Sequence, residues 1–165
     1  MNDAPAHRIR LTSPEKTAEL AAAFARLVRP GDVFLLSGQI GAGKTHFTRS
    51  LIQARLAYAD RPVEDVPSPT FTLVQTYEVD GFEIWHSDLY RLTHPDEVEE
   101  LGLFDAFDTA VCLIEWPERG KGILPEPDLE VHLETRGEGR SVVLRARSEL
   151  GAGVLNELEL IGPAS

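Results

Sequence analysis

Apolar residues in the first third of the chain change from a continuous run to a helical spacing across a glycine-rich loop. The run Val33-Phe34-Leu35-Leu36 is typical of a strand that is buried on both faces of a parallel sheet. After the loop, Phe47, Leu51, Ile52 and Leu56 recur on one helix face, which predicts a helix from Thr45 to Leu56. An earlier helix is predicted after Thr12-Ser13-Pro14-Glu15, which combines a capping hydroxyl with an early proline.

Two pairs of alternating segments predict antiparallel hairpins. The segments Phe71 to Val79 and Phe82 to His86 are separated by Asp80-Gly81, a strong signal for a two-residue turn. Residues 129–133 and 142–144 alternate between apolar and polar in the same way and predict a second hairpin.

One further buried strand and two short helices complete the predicted elements. Val111 to Ile114 is a continuous apolar run that ends at Glu115. Pro95 to Leu101 is predicted to be helical, with acidic residues in its first turn, where they complement the helix dipole. A short final helix is predicted from Leu150 onward, and residues 1–7 are predicted to form a flexible tail.

The loop between the first strand and its helix carries a complete phosphate-binding motif. It reads Gly38-Gln39-Ile40-Gly41-Ala42-Gly43-Lys44-Thr45, which matches G-x-x-x-x-G-K-[ST]. The glycines let successive backbone N–H groups converge on phosphate oxygens at a helix start. Lys44 is expected to reach the β- and γ-phosphates, and the Thr45 hydroxyl to bind magnesium. We therefore predict a nucleoside triphosphate site in an α/β fold of the P-loop NTPase type, a three-layer sandwich with a mostly parallel central sheet and antiparallel hairpins.

Length and charge limit the functions that the chain can have. With 165 residues, of which 42% are hydrophobic, it is predicted to form a single domain over residues 1–165. No signal peptide or membrane span is visible, and a lone cysteine, Cys112, cannot form an internal disulfide, so we expect a cytoplasmic protein. The formal net charge of -11 has the wrong sign for a protein that holds nucleic acid through its own phosphate contacts, so direct, high-affinity RNA or DNA binding is not expected.

Two carboxylates are candidates for a magnesium site. Glu115 follows a buried strand as in a Walker B motif, at the sheet edge where ligands bind, although a solvated glutamate at a strand end is an alternative. Asp88 lies in His86-Ser87-Asp88-Leu89-Tyr90-Arg91 and could position water or support the magnesium ligands. His86 and Asp88 also have the spacing of a metal-binding pair, but no third ligand is suitably spaced, which favours a core hydrogen bond for His86.

Two other segments have both a functional and a purely structural interpretation. Ser68-Pro69-Thr70 lies where many nucleotide switches carry a hydroxyl that senses the γ-phosphate, but a capped turn before a strand explains it equally well. Trp116 could line the site or pack in the core. The chain contains no Asn-Lys-x-Asp sequence, the guanine-selective motif of regulatory GTPases, so ATP is favoured over GTP.

Five motifs, taken in order, resemble the TsaE (YjeE) family. They are the loop of residues 38–45, Ser68 to Val74, His86 to Leu92, Glu100 to Gly102 and Ile114 to Glu118. The resemblance implies a bacterial P-loop ATPase that uses ATP and Mg²⁺. It also implies action with TsaB and TsaD in making N6-threonylcarbamoyladenosine at position 37 of tRNAs that read codons beginning with A. The tRNA would then be contacted only through the complex, in agreement with the acidic charge.

The same resemblance implies roles for individual residues. Lys44, Asp88 and Glu115 would be catalytic, and Thr45 with Glu115 or Asp88 would hold magnesium. The nucleotide would be bound by residues 38–45 together with Ser13, His46, Trp116 and Arg140, and the switch candidates are Ser68 and Thr70. Gln39-Ile40 and His46 depart from the residues common in the family, at positions where the backbone matters more than the side chain.

The resemblance leads us to expect that ATP hydrolysis resets the transferase complex between turnovers. Two other classes stay open. A small-molecule kinase would use the same loop, although no second substrate-binding signature or arginine-rich lid is visible. A nucleotide-sensing binding module without useful turnover would share every residue above.

Overall fold

A computed structural model describes residues 6–161, and within that range it contains one seven-stranded sheet with helices on both faces. In chain order the elements are β1 (Ala6–Leu11), α1 (Pro14–Ala25), β2 (Val33–Gly38), α2 (Lys44–Tyr58), β3 (Val74–Glu78), β4 (Glu83–Asp88), α3 (Glu97–Glu100), α4 (Leu103–Ala106), β5 (Val111–Glu115), a 3₁₀ turn (Pro117–Gly120), β6 (Leu129–Arg136), β7 (Gly139–Ala146) and α5 (Glu149–Ile161).

The centre of the sheet is parallel and its edges are antiparallel. The strand order is β1-β7-β6-β2-β5-β4-β3. Strand β2 pairs in parallel with both β6 and β5, and β5 pairs in parallel with β4. Outside these four strands, β7 and β1 extend one edge and β3 extends the other, each by antiparallel pairing. The predicted fold class, a mostly parallel sheet with antiparallel hairpins, is confirmed.

Each face of the sheet has its own apolar core. Helices α1, α2 and α5 cover one face, where Phe24 of α1 packs edge-on against Phe34 of β2 and Phe47 of α2 at centroid distances of 5.9 and 5.8 Å. The predicted stripe of α2 is completely buried there. On the other face, α3 and α4 bury Val98 and Leu103 against β2, β4 and β5. The molecule therefore has three layers, as the sequence predicts.

Parallel pairing brings three strand ends to the same edge of the sheet. Leu36 of β2 is opposite Glu115 of β5, which in turn is opposite Asp88 of β4. The pairing continues past the strands, because Trp116 N–H donates to the Leu36 carbonyl and Leu89 N–H donates to the Glu115 carbonyl. The phosphate-binding loop leaves β2 at this edge. The fold thus places the loop and both candidate carboxylates together.

The prediction of a flexible tail over residues 1–7 is wrong for residues 6 and 7. Strand β1 begins at Ala6, so residues 6–7 are paired in the sheet, while residues 1–5 lie outside the described range. Sequence patterning missed β1, because it is an edge strand with only Ile9 and Leu11 facing the core. Its pairing with β7 depends on residues more than a hundred positions away, which a local pattern does not reveal.

Three predicted segments have different bounds in the structure. Strand β3 starts at Val74, and Phe71 is 80% exposed because it lies in the turn before the strand. Strand β4 extends to Asp88, two residues beyond its predicted end. The helix predicted from Pro95 to Leu101 is only the single turn of α3, followed by the separate turn of α4. In residues 6–161, no helix has the length and apolar character needed to cross a membrane.

Two glycines of α5 provide a test of how closely this helix packs. A Cβ atom at Gly151 would lie 1.8 Å from the Asp128 carbonyl oxygen, whereas one at Gly153 would have no neighbour within 4 Å. Gly151→Ala must therefore displace backbone and should lower the free energy of unfolding by about 1–3 kcal/mol. Gly153→Ala gains helix propensity and should raise it by about 0.5–1 kcal/mol. Urea denaturation of the two variants measures both effects, and equal effects would contradict the packing of α5 against Asp128.

A buried carboxylate at the opposite edge of the sheet closes the turn between α1 and β2. Asp32 is 1% exposed, and its Oδ2 accepts a hydrogen bond from Arg29 N–H at 2.8 Å. Among the described residues, its Oδ1 has no hydrogen-bond partner. Burial raises the pKa of Asp32 to about 6, against the Arg29 hydrogen bond and with a smaller contribution from the Asp128 carboxylate.

The stability of the protein should consequently fall with rising pH because of Asp32. Between about pH 4 and pH 6, Asp32 keeps its proton in the folded chain but has released it in the unfolded chain. The free energy of unfolding therefore falls as the pH rises through this range, by up to about 3 kcal/mol once both states are ionised. Asp32→Asn keeps an acceptor for Arg29 N–H but cannot ionise. Relative to wild type, the variant should therefore gain free energy of unfolding by about that amount when the measurement is moved from about pH 4 to about pH 7. A difference independent of pH would show that the raised pKa is wrong.

Candidate functional site

A cavity of about 690 Å³ opens where β2, β4 and β5 end. It lies between the phosphate-binding loop, the start of α1, the segment before β3 and the turn between β6 and β7. The sequence-predicted residues that line it are Ser13, Ile40, Gly41, Gly43, Lys44, Thr45, His46, Ser68, Thr70, Asp88, Glu115, Trp116 and Arg140. Of the other predicted residues, Gly38 and Gln39 line a shallower cavity beside it, and Ala42 is buried beneath the loop.

The loop presents its backbone to the cavity. Gly41 and Gly43 adopt φ values of +83° and +108°, which residues with a side chain rarely reach, and a Cβ at either position would have no neighbour within 4 Å. Helix α2 begins directly afterwards at Lys44, without a side-chain cap. The unpaired N–H groups of a helix start and its positive dipole end make a site for an anion such as phosphate.

Lys44 folds back onto the loop. Its Nζ donates to the carbonyl oxygens of Gly38 and Gln39 at 2.6 and 2.9 Å and lies 4.1 Å from the centroid of the Trp116 ring. Burial lowers the pKa of Lys44 below its ordinary value, although nearby carboxylates, Glu115 foremost, oppose the shift. The lysine is thus held at the centre of the site by backbone oxygens and an aromatic face.

Glu115 is enclosed at the end of β5. The residue is 1% exposed, so the alternative of a solvated glutamate is wrong. Thr45 Oγ1 donates to Glu115 Oε1 at 3.0 Å, and His86 Nε2 lies 2.6 Å from Glu115 Oε2. The carboxylate therefore has one partner from α2 and one from β4, and the core hydrogen bond expected for His86 is formed to a predicted site residue.

Asp88 lies on the other side of the cavity and connects it to the segment that contains the switch candidates Ser68 and Thr70. It is 4% exposed, and its Oδ2 accepts a hydrogen bond from Thr70 Oγ1 at 3.3 Å. The Thr70 hydroxyl also lies 2.7 Å from the Ser68 hydroxyl. Tyr90 N–H donates to Asp88 Oδ1 at 2.9 Å, which fixes the carboxylate from behind. Thr70 therefore contacts a candidate catalytic carboxylate directly, and Ser68 reaches it only through the Thr70 hydroxyl.

Sheet pairing brings two distant segments to the cavity, the start of α1 and the β6–β7 turn. Leu11 at the end of β1 is opposite Arg140 of β7, which places Ser13 near Arg140. Arg140 Nη2 donates to the Gly41 carbonyl at 3.1 Å. The Ser13 hydroxyl caps α1 by accepting from Lys16 N–H at 3.2 Å, and His46 Nε2 lies 3.0 Å from the Pro14 carbonyl oxygen.

Sequence reasoning missed several residues that line the cavity. They are Leu11, Pro14, Thr17, Tyr90, Glu138 and Gly139. Tyr90 had a signal, since it belongs to the polar motif around Asp88, and its ring lies 4.8 Å from that of Trp116. Trp116 itself has φ +58°, a left-handed conformation that is strained for a bulky residue. The others come from the end of β1, the start of α1 and the β6–β7 turn, which sheet pairing brings together without a local sequence pattern.

The chemistry of these donors fits a magnesium–nucleoside triphosphate. The Thr45 hydroxyl and the Glu115 carboxylate are hard oxygen donors within hydrogen-bond distance of each other, and Mg²⁺ prefers such ligands. The loop backbone and Lys44 supply the positive potential that a triphosphate requires. On its side next to α1 and Arg140, the same 690 Å³ cavity leaves room for a nucleoside.

Comparison with known proteins gives one consistent family. The sequence model of "Threonylcarbamoyl adenosine biosynthesis protein TsaE" matches residues 11–142. The "tRNA threonylcarbamoyladenosine biosynthesis protein TsaE" of Haemophilus influenzae is 43% identical over 122 residues, 73% of this chain and 74% of that protein. The protein of the same name from Bacillus subtilis is 35% identical over 130 residues, 78% of each chain.

The fold agrees with this relationship. The crystal structure of YdiB from Bacillus subtilis superimposes with a TM-score of 0.78, covering 98% of this chain and 99% of that one at 26% sequence identity. The family match covers most of the chain, including the loop, Asp88 and Glu115. The chain belongs to the TsaE family.

Proposed function

We propose that this member of the TsaE family is a magnesium-dependent ATPase in tRNA threonylcarbamoyladenosine biosynthesis. In this proposal the chain acts with TsaB and TsaD, and its hydrolysis of ATP resets their transferase complex between turnovers. The pathway is the one that the names of the family and its relatives carry.

One observation carries the proposal of a hydrolytic site. The loop threonine and the buried Glu115 are in direct contact, at 3.0 Å, next to the lysine of the phosphate-binding loop. In P-loop NTPases a loop hydroxyl and a strand-end carboxylate are the groups that hold magnesium. Burying a carboxylate is costly unless it is paired and hydrogen-bonded. A glycine-rich turn that bound no ligand would not need a carboxylate buried against the first turn of α2.

The chain's own residues would divide the work as follows. Thr45 and Glu115 would hold magnesium, which when bound neutralises charge on the phosphates. Lys44 would exchange its two carbonyl partners for phosphate oxygens, and the loop N–H groups would orient them. Asp88, buried but adjoining the cavity, would orient the attacking water through its carboxylate. Thr70 would respond to the γ-phosphate through its contact with Asp88, and Ser68 through its contact with the Thr70 hydroxyl.

The charge of the chain supports a division of labour within the complex. With a formal net charge of -11, the chain is poorly suited to hold tRNA itself. We propose that TsaB and TsaD handle the tRNA and that this chain contributes the nucleotide-driven step, so that tRNA is contacted only through the complex.

The decisive measurement is phosphate release from ATP with and without magnesium, for the chain alone and with TsaB and TsaD added. We expect weak activity that requires magnesium and rises with the partners. Lys44→Ala should lower it at least about 100-fold, because a preorganised charge at the phosphates is lost. Lys121→Ala, which removes an exposed lysine outside the cavity lining, is the matched control and should have no effect.

Other outcomes identify the two alternative functions. Labelled phosphate transferred from ATP to a metabolite would identify a small-molecule kinase. Tight nucleotide binding without release of phosphate, even with both partners present, would identify a nucleotide sensor.

The switch assignment makes a separate prediction for Thr70. Thr70→Ala removes the hydroxyl that contacts both Ser68 and Asp88. Nucleotide affinity should change little, because the loop and Lys44 are intact, whereas stimulation by TsaB and TsaD should fall about tenfold or more if the segment transmits the state of the γ-phosphate. Thr72→Ala, which alters an exposed hydroxyl in the same segment, serves as the control. Normal stimulation of Thr70→Ala would end the switch assignment.

A further inference from the structure

In the described part of the chain, two side chains form hydrogen bonds with the Glu115 carboxylate: Thr45 and His86. His86 is 0% exposed, and its Nε2 lies 2.6 Å from Glu115 Oε2. His86 belongs to β4, two residues before Asp88, and does not line the cavity. It can therefore act on bound ligands only through Glu115.

The surroundings of the imidazole determine which nitrogen carries the proton. His86 Nδ1 is buried and has no hydrogen-bond partner in the described part of the chain. A proton on Nδ1 would be a buried donor without an acceptor, which is costly, whereas a bare lone pair there costs less. At 2.6 Å from a carboxylate oxygen, Nε2 must instead be the donor. The contacts thus select the tautomer with its proton on Nε2.

We infer that His86 is a positioning residue, which orients the Glu115 carboxylate for magnesium by donating from Nε2 to Oε2. The inference rests on the proposed function, since it assigns Glu115 to the metal. With Oε2 held by His86 of β4, the Thr45 hydroxyl lies 3.0 Å from Oε1 and 3.3 Å from Oε2, so the two proposed magnesium ligands stay side by side. A metal-ligating side chain commonly needs such a second hydrogen bond to fix its orientation.

This arrangement also connects the two carboxylates of the site. His86 and Asp88 are on the same strand, and Asp88 is directly opposite Glu115 in the β4–β5 pairing. Glu115 is thereby bonded to His86 of β4 through its side chain and to Leu89 N–H, the residue directly after β4, through its carbonyl at 3.0 Å. The spacing between the proposed metal carboxylate and Asp88 is consequently set by one pair of strands.

The first test is the tautomer itself, measured on the intact protein without nucleotide. Long-range ¹⁵N–¹H correlation spectra of histidine-labelled protein distinguish Nε2–H from Nδ1–H, and His86→Gln identifies the His86 signals by their disappearance. We expect the proton on Nε2. A proton on Nδ1 would overturn the inference, whatever nucleotide the protein binds.

The second test separates magnesium positioning from a structural role. Binding of a non-hydrolysable ATP analogue is measured during a magnesium titration and again in the presence of a chelator. His86→Leu should raise the magnesium concentration needed for half-maximal effect by about 10- to 100-fold and leave magnesium-free binding unchanged. His86→Gln, which keeps a donor of similar reach, should recover most of the loss. Tyr77→Phe, which removes another buried polar atom without a partner in the described residues, is the control and should behave like wild type.

The outcomes distinguish this inference from the proposed function. If wild type binds no nucleotide, the proposed function fails, and the spectra alone still decide the tautomer. If wild type binds in a magnesium-dependent way but both His86 variants show the wild-type magnesium dependence, the positioning role is wrong and the ATPase proposal stands. An equal loss of binding with and without magnesium in His86→Leu would show a structural role only, which also overturns the inference.

Discussion

The burial of the Glu115 carboxylate at the end of β5 is the constraint on which the rest of the site depends. A carboxylate that is 1% exposed is tolerable only when its oxygens are hydrogen-bonded. Thr45 supplies one bond from the first turn of α2, and His86 supplies the other from β4. In the sheet, β2, which leads into α2, and β4 lie on opposite sides of β5, so both bonds form only when β2, β5 and β4 pair in parallel and in the observed register.

The antiparallel hairpins at the edges of the sheet complete the cavity that the parallel strands begin. The β3–β4 hairpin carries Asp88 and follows the turn that contains Thr70. On the other side, the β6–β7 hairpin carries Arg140, and the pairing of β1 with β7 draws the start of α1 to the loop. Parallel strands thus position the phosphate-binding groups, while the hairpins supply the walls. This division explains why the cavity is lined by residues from nearly the whole length of the chain.

The elements that could be predicted from sequence are those whose signal is local. The phosphate-binding loop is a contiguous motif, and the stripe of α2 and the run before Glu115 follow from helix and strand periods. By contrast, β1 and the approach of Arg140 to the loop arise from pairing across the length of the chain. Phe71 was misassigned because alternation alone does not distinguish a strand from the turn that precedes it. The contact of His86 with Glu115 required the register of β4 against β5, which no single segment encodes.

The two halves of the cavity differ in how firmly they are held, and under the proposed function this difference determines where a nucleotide-dependent change would occur. Around Glu115, His86 is fully buried and the strand pairing is continuous, so a shift there would disrupt the core. Around Thr70 the side-chain ties are one 3.3 Å bond to Asp88 and a contact with the Ser68 hydroxyl. The segment ends at Leu73, whose N–H donates to the Pro69 carbonyl and whose carbonyl accepts from Asp88 N–H and the Ser87 hydroxyl. Phe71, next to Thr70, is 80% exposed and has Arg91 4.9 Å from its ring, an exposed contact of small energy. Because exposed segments with few contacts have a low free energy of local opening, rearrangement is expected in residues 70–72 while Leu73 and the Glu115 side stay fixed.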